Sequence, residues 1–146
     1  MITYEKLLEK FKGILKNNSL KFTKQRELIL KFLYKNEGHY TPEEIYMQFK
    51  REYPDINIGI ATIYRTLTLL EESSIASSIS FGVQGKKYEL GLKKHHDHLI
   101  CTHCGEIIEF YDDTIEERQK EIAKKFNFNM TDHTMKIIGL CENCQD

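Results

Sequence analysis

Ten consecutive residues, His95-His96-Asp97-His98-Leu99-Ile100-Cys101-Thr102-His103-Cys104, place at least six metal-ligating side chains in one short run, and a second Cys-x-x-Cys, Cys141 to Cys144, follows near the end. These four cysteines are all the sequence contains. Four thiolates close a tetrahedral shell around zinc and leave no position open for a substrate. The spacing therefore predicts a structural zinc site at Cys101, Cys104, Cys141 and Cys144. Disulfides are the other use of four cysteines, but they belong to secreted chains, whereas Cys-x-x-Cys pairs in a reducing compartment favour metal. His103, inside the first knuckle, reads as a bystander.

The histidines need a separate account. Side chains alternate across a strand, so His96 and His98 point one way while His95 and Asp97 point the other. For the first face, Glu109, Glu89 and His39 are candidate partners. A mixed imidazole and carboxylate shell binds less avidly than thiolates and suits reversible capture of iron, manganese or zinc. For the second face, Glu116 and His133 are candidates. Any one of these residues alone would read as a surface acid or a hydrogen-bonded histidine. Clustering argues otherwise, since five of the six histidines fall between positions 95 and 133 and the sixth is His39.

The elements that position these groups are legible in the first half as helices and a hairpin. Leu7, Leu8, Phe11, Ile14 and Leu15 recur at helical spacing until Asn17-Asn18-Ser19. Thr23 caps a second helix with Leu28, Ile29, Phe32 and Leu33 on one side, stopped by Asn36-Glu37-Gly38. Thr41-Pro42-Glu43-Glu44 opens a third with a capping threonine and a first-turn proline; Ile45 and Phe49 form its buried stripe, and Pro54 follows its end. From Ile60 to Glu71, Ile60, Ile63, Leu67 and Leu70 share one face; Ala61, Thr62, Arg65 and Thr68 oppose it, with Tyr64 on the flank. Ile75, Ile79 and Phe81 alternate with serines, Gly82-Val83-Gln84-Gly85 turns, and Lys86 to Leu90 returns as a second strand. This order describes a winged helix-turn-helix.

The second half reads as a strand over 96–101, a knuckle, a strand over 107–110, a helix from about Asp113 to Phe126, and a last strand carrying Met130, His133, Met135, Ile137 and Ile138. The whole is an α+β chain. Its small C-terminal sheet has an edge to share, for which a dimer is the natural remedy. At 146 residues the chain fits one ordinary domain or two small ones, and a small unit gains from a metal staple. The N-terminus lacks a signal-peptide pattern and no run approaches the roughly 18 apolar residues of a membrane span, which points to a cytoplasmic protein.

Small side chains around Tyr64 and Arg65 let the fourth helix enter a major groove. Arg65 could read guanine or hold phosphate, while a threonine methyl or the Tyr64 ring could meet thymine methyls. Lys86-Lys87 on the wing and Lys21, Lys24 and Arg26 around the second helix add salt-sensitive phosphate contacts. The net charge of -1 hides an asymmetry: residues 1–92 carry 14 Lys+Arg against 11 Asp+Glu, and residues 93–146 carry 7 against 11. Nucleic acid in front and cations behind fit that balance.

Taken together, Lys24-Gln25-Arg26, His39-Tyr40-Thr41-Pro42-Glu43, Ala61-Thr62-Ile63-Tyr64-Arg65-Thr66-Leu67, Lys87-Tyr88-Glu89, the histidine-cysteine run through Gly105 and the closing Cys-x-x-Cys resemble the ferric uptake regulator family across nearly the whole chain. The resemblance implies a homodimeric, metal-dependent transcriptional repressor of iron uptake and homeostasis genes, with higher oligomers on DNA in prospect. It implies a winged-helix DNA-binding domain over 1–92, including wing and hinge, and a metal-binding dimerisation domain over 93–146. By similarity, His39, Glu89, His96, His98 and Glu109 form the regulatory site, with Fe(II) as effector and manganese or zinc able to substitute. His95, Asp97, Glu116 and His133 form an additional site, and Tyr64 and Arg65 read the DNA; the residues themselves add Thr62, Lys21 and Lys24 as contacts, and a two-fold dimer implies a palindromic double-stranded operator.

Peroxide sensors of the family tend to place aspartates where Glu89 and Glu109 stand, and zinc sensors tend to use a cysteine near the hinge; manganese sensing is a further variant. A zinc hydrolase or deaminase is the rival from another class. It would need an open metal position and an HExxH or an HxE with PCxxC, and neither motif occurs. Metal storage without DNA is the third reading, opposed by the exposed Tyr64-Arg65 helix.

Overall fold

The computed structural model describes residues 2–80, 85–91 and 95–146. Phe81, most of the expected wing turn and the expected boundary at Leu92 lie outside the described residues. The chain divides into two compact units, Met1–Lys93 and Lys94–Asp146.

In the first unit, α1 (Tyr4–Asn17), α2 (Lys24–Lys35) and α3 (Pro42–Glu52) each begin at a threonine whose hydroxyl accepts a backbone N–H. Thr41 and Glu44 complete a capping box, which satisfies two of the N–H groups a helix start leaves open. The fourth helix, α4 (Ile60–Glu72), starts at Gly59 with no side-chain cap among the described residues. Leu7, Phe11 and Leu15 of α1, Ile29 and Leu30 of α2, Ile45 and Phe49 of α3, and Ile63, Leu67 and Leu70 of α4 are buried in one core.

Two details of α4 differ from the periodicity. Ile60, placed on the buried face, is 37% exposed because it opens the helix, where no preceding turn covers it. Thr66 is buried instead, its hydroxyl donating back to the Thr62 carbonyl at 2.7 Å, so that only its methyl needs an apolar neighbour.

Strands β1 (Ala76–Ser80) and β2 (Lys86–Leu90) pair antiparallel, with Ser77 opposite Glu89. An isolated bridge adds Tyr40 to Tyr88 of β2, through backbone bonds of 3.0 and 2.7 Å. Glu71, near the end of α4, accepts from Ser78 of β1 and from Lys86 of β2, which fastens the hairpin to that helix.

Among the described residues the second unit is a three-stranded sheet, β4-β3-β5, with one α-helix and a short 3-10 turn. Strand β3 (Asp97–Cys101) lies between antiparallel β4 (Ile107–Phe110) and parallel β5 (Lys136–Gly139). The last strand is shorter than the apolar pattern suggested. Its ladder runs only from His98↔Lys136 to Cys101↔Gly139, with the Met135 carbonyl accepting the His98 N–H just before it, so Met130 and His133 lie in irregular chain ahead of the strand. The helix α5 (Asp113–Lys125) is capped by Asp112, with Asp113 and Glu116 in its first turn and Lys124 and Lys125 in its last, in the sense its dipole favours. Among the described residues no helix is long and apolar enough to cross a membrane.

Candidate metal centres and nucleic-acid interface

The four cysteines converge although 36 residues separate the two knuckles. Cys101 ends β3, Cys104 closes a turn in which the Gly105 N–H donates to the Cys101 carbonyl, and Cys141 precedes and Cys144 ends a short 3-10 turn, Glu142–Cys144. Gly105 has φ +79°, a left-handed conformation that a side chain would strain. The Cys104 and Cys141 sulfurs are 3.6 Å apart and not bonded. A tetrahedron of sulfurs at about 2.3 Å from zinc has edges of about 3.8 Å, so the spacing already fits the ion. Backbone N–H groups, foremost that of Cys104, hold the Cys101 thiol down to about 6, whereas burial and neighbouring sulfurs push Cys141 up to about 12. Four crowded sulfurs cannot all ionise without a cation between them. His103 is exposed and outside the cluster.

A second cluster gathers His95, Asp97, Glu116 and His133. The His95 and His133 Nε2 atoms are 3.0 Å apart, and Glu116 Oε1 lies 3.3 Å from the first and 3.2 Å from the second. Asp97 Oδ1 is 3.5 Å from His95 and 3.8 Å from His133. For nitrogen and oxygen ligands at about 2.0 to 2.1 Å, tetrahedral edges are about 3.3 to 3.4 Å, which these separations bracket. Asp97 is fully buried, and neither of its carboxylate oxygens has a hydrogen-bond partner among the described residues. A buried carboxylate so placed is stabilised by a cation.

The remaining ligands form two groups, one in each unit. In the first, His39 Nε2 lies 3.1 Å from Glu89 Oε2, with both side chains nearly inaccessible. The Tyr40–Tyr88 bridge sets this pairing, because His39 and Glu89 each adjoin a bridged residue. In the second unit, the His96 and His98 rings meet edge to face at 4.6 Å, and His96 Nε2 is 3.4 Å from Glu109 Oε1. Glu109 stands opposite His98 in the β3-β4 register.

On α4, Tyr64 and Arg65 are exposed and Thr62 is partly so, while Ile63, Thr66 and Leu67 face the core. A groove of about 370 Å³ lies beside them, with Lys21, Arg26, Gly59, Thr62 and Arg65 in its walls. Arg26 donates to the Lys21 carbonyl, fixing the loop that carries Lys21; Lys24 is exposed at the start of α2. Two contacts were invisible in the sequence. Tyr64 donates its hydroxyl to Glu43, 21 residues earlier, and Glu71 fastens the hairpin. Neither pairing leaves a periodic or motif signal.

A winged helix with an exposed face on α4, joined to a unit with convergent thiolate and imidazole-carboxylate clusters, defines a metal-binding regulator of the winged-helix class. The ferric uptake regulator family model matches residues 17–138. The ferric uptake regulation protein of Campylobacter jejuni is 54% identical over 145 residues, covering 99% of this chain and 92% of that protein. The solved ferric uptake regulator Fur of Helicobacter pylori, described as having three functional metal binding sites, is 40% identical, covers 99% of this chain and 95% of its own, and superposes with a TM-score of 0.91. The peroxide-responsive repressor PerR of Staphylococcus saprophyticus is 35% identical, covering 99% of this chain and 95% of that protein. The chain belongs to the ferric uptake regulator family. Proteins of this family are transcriptional regulators, not enzymes; they bind DNA and function as dimers.

Proposed function

We propose that this chain is an Fe(II)-responsive repressor of iron uptake and iron-homeostasis genes, acting in the cytoplasm as a homodimer on palindromic operators. The observation that carries the reading is the buried His39–Glu89 pair at the root of the hairpin that follows the exposed α4 helix. The regulatory ion would draw His39 and Glu89 from the first unit and His96, His98 and Glu109 from the second. Such a shared shell restricts the angle between DNA-reading and dimerising parts and selects the arrangement whose two α4 helices fit successive major grooves. Three imidazoles and two carboxylates suit ferrous ion, with manganese or zinc able to substitute. Zinc fits the thiolate site, and the His95 cluster would take a further divalent ion. Thr62, Tyr64 and Arg65 would read the operator while Lys21 and Lys24 hold phosphate, and a second dimer could join on adjacent turns.

The glutamates at 89 and 109 favour iron sensing over peroxide sensing, and the identity to the named ferric uptake regulation protein exceeds that to the peroxide-responsive repressor. The test is elemental analysis of the purified dimer beside operator titrations with iron, manganese and zinc. Tighter operator binding with Fe(II) or Mn(II) is the expected result; equal affinity with and without those ions would overturn the proposal.

A further inference from the structure

Tyr64 is 42% exposed on the helix read as entering DNA, and its ring can sweep a wide arc unless something holds its hydroxyl. Glu43 does so: its Oε1 accepts the phenolic proton, and that bond holds the phenol in its protonated, donating form. The backbone that carries this acceptor is well fixed. Glu43 lies in the first turn of α3, between Pro42, which is buried, and Glu44, which closes the capping box with Thr41. Tyr40, just upstream, is tied to Tyr88 by two backbone bonds and donates its hydroxyl to the Glu37 carbonyl at 2.7 Å. A short, rigid run therefore presents one carboxylate to one tyrosine on the neighbouring helix.

We propose that Glu43 is a positioning residue for sequence readout, holding the Tyr64 ring in the pose that meets a base edge. This rests on the reading of α4 as the DNA-reading helix. Two physical consequences separate it from a packing role. Losing the acceptor frees the ring, so ordering it on a base becomes a cost of binding the correct sequence. Removing a negative charge from a face that approaches phosphates strengthens non-specific binding. Glu43→Ala should therefore weaken specific binding while tightening generic binding, a pairing that lost stability does not produce. Glu43→Gln retains an acceptor and should keep the sequence preference.

The test uses the full zinc-containing chain loaded with Mn(II). A duplex selected by the wild type from a random-sequence pool serves as probe, with a scrambled duplex as control. Glu43→Ala should bind the selected duplex roughly three- to tenfold more weakly per half-site, the worth of one hydrogen bond, with Glu43→Gln, which loses the charge but keeps an acceptor, no weaker than wild type and thermal unfolding unchanged. In a Tyr64→Phe background, which breaks the bond without touching Glu43, Glu43→Ala should cause no further loss on the selected duplex. Selected-duplex affinity within twofold of wild type for Glu43→Ala, or the same loss with and without the Tyr64 hydroxyl, would overturn the proposal. A wild type that selects no duplex at all would overturn the regulatory reading, and this proposal with it.

Discussion

Tyr40 and Tyr88 exchange two backbone hydrogen bonds, and this bridge sets His39 3.1 Å from Glu89 in the first unit. The pair is preformed: both side chains are nearly inaccessible, so an ion reaching them meets ligands already desolvated and ordered. Replacing either with Ala should remove the metal response of DNA binding while the zinc content stays intact. Metal enhancement of operator affinity, of the order of 5- to 150-fold for a coupled effector, should fall to near one. Fluorescence anisotropy with labelled duplex, with and without Mn(II), measures it.

The second unit has little apolar core of its own. Ile100 and Cys101 are its buried hydrophobics among the described residues, while Ile122, Phe126 and Phe128 are exposed. Zinc at the cysteines must then supply much of its stability, and structural zinc contributes on the order of 10 kcal/mol in small metal-folded units. Cys144→Ser, or exhaustive chelation, should lower the unfolding midpoint by roughly 10 °C or more, since each kcal/mol moves a small domain by about 4 to 8 °C. Calorimetry with zinc quantitation tests this, and an unchanged midpoint in zinc-free protein would contradict it.

Ile137, Ile138 and Leu140 are 46%, 64% and 51% exposed on and just after the edge strand β5. An edge strand with an apolar face is a pairing surface unless it is covered. In a family that functions as dimers, a charge placed there should separate the protomers. Ile138→Asp is expected to shift the chain to monomer at micromolar concentration in sedimentation equilibrium, with specific operator binding lost through the missing half-site contacts.

Much of this architecture was readable from local signals. Thr23, Thr41 and Pro42 mark helix starts by chemistry that depends only on near neighbours, and the cysteine spacing names its metal because few other uses of four thiols exist. Alternation along 95–98 predicts two ligand faces by the same local logic, although β3 itself begins only at Asp97. What escaped depended on distant pairing. The length of β5 follows from where β3 begins, which residues 130–135 do not encode. Thr66 is buried because its hydroxyl finds Thr62, and the Glu43–Tyr64 and Tyr40–Tyr88 contacts join segments that only packing of α3, α4 and β2 brings together.

Asp97 and Glu116 are both buried carboxylates in the second cluster, which makes that site costly when no cation is present. Asp97→Asn should bind one divalent ion fewer per chain. Its metal-free form should unfold at the same or a higher temperature than metal-free wild type, whereas the rise in midpoint on adding ions should shrink, because that rise reports binding to the folded state. Paired thermal scans with and without Zn(II) distinguish this from a plain loss of stability, which would lower both midpoints.

The reading face offers the last prediction through its salt dependence. Lys24 and Lys21 are exposed beside the groove that Arg65 and Thr62 line or adjoin, and none of them is needed to fill the core. A lysine that only meets phosphate releases about one counterion on binding, so Lys24→Ala should lower the slope of log affinity against log salt by about one per protomer, about two for the dimer, and weaken all duplexes alike. Arg65→Ala should differ if Arg65 meets a base edge: about 1 to 3 kcal/mol lost per half-site on the selected operator, little change on scrambled DNA, and relaxed preference at one position of each half-site. Titrations on both duplexes at several salt concentrations separate the two behaviours. A uniform loss with a reduced slope for Arg65→Ala would assign it to the phosphate backbone and leave sequence reading to Thr62 and Tyr64.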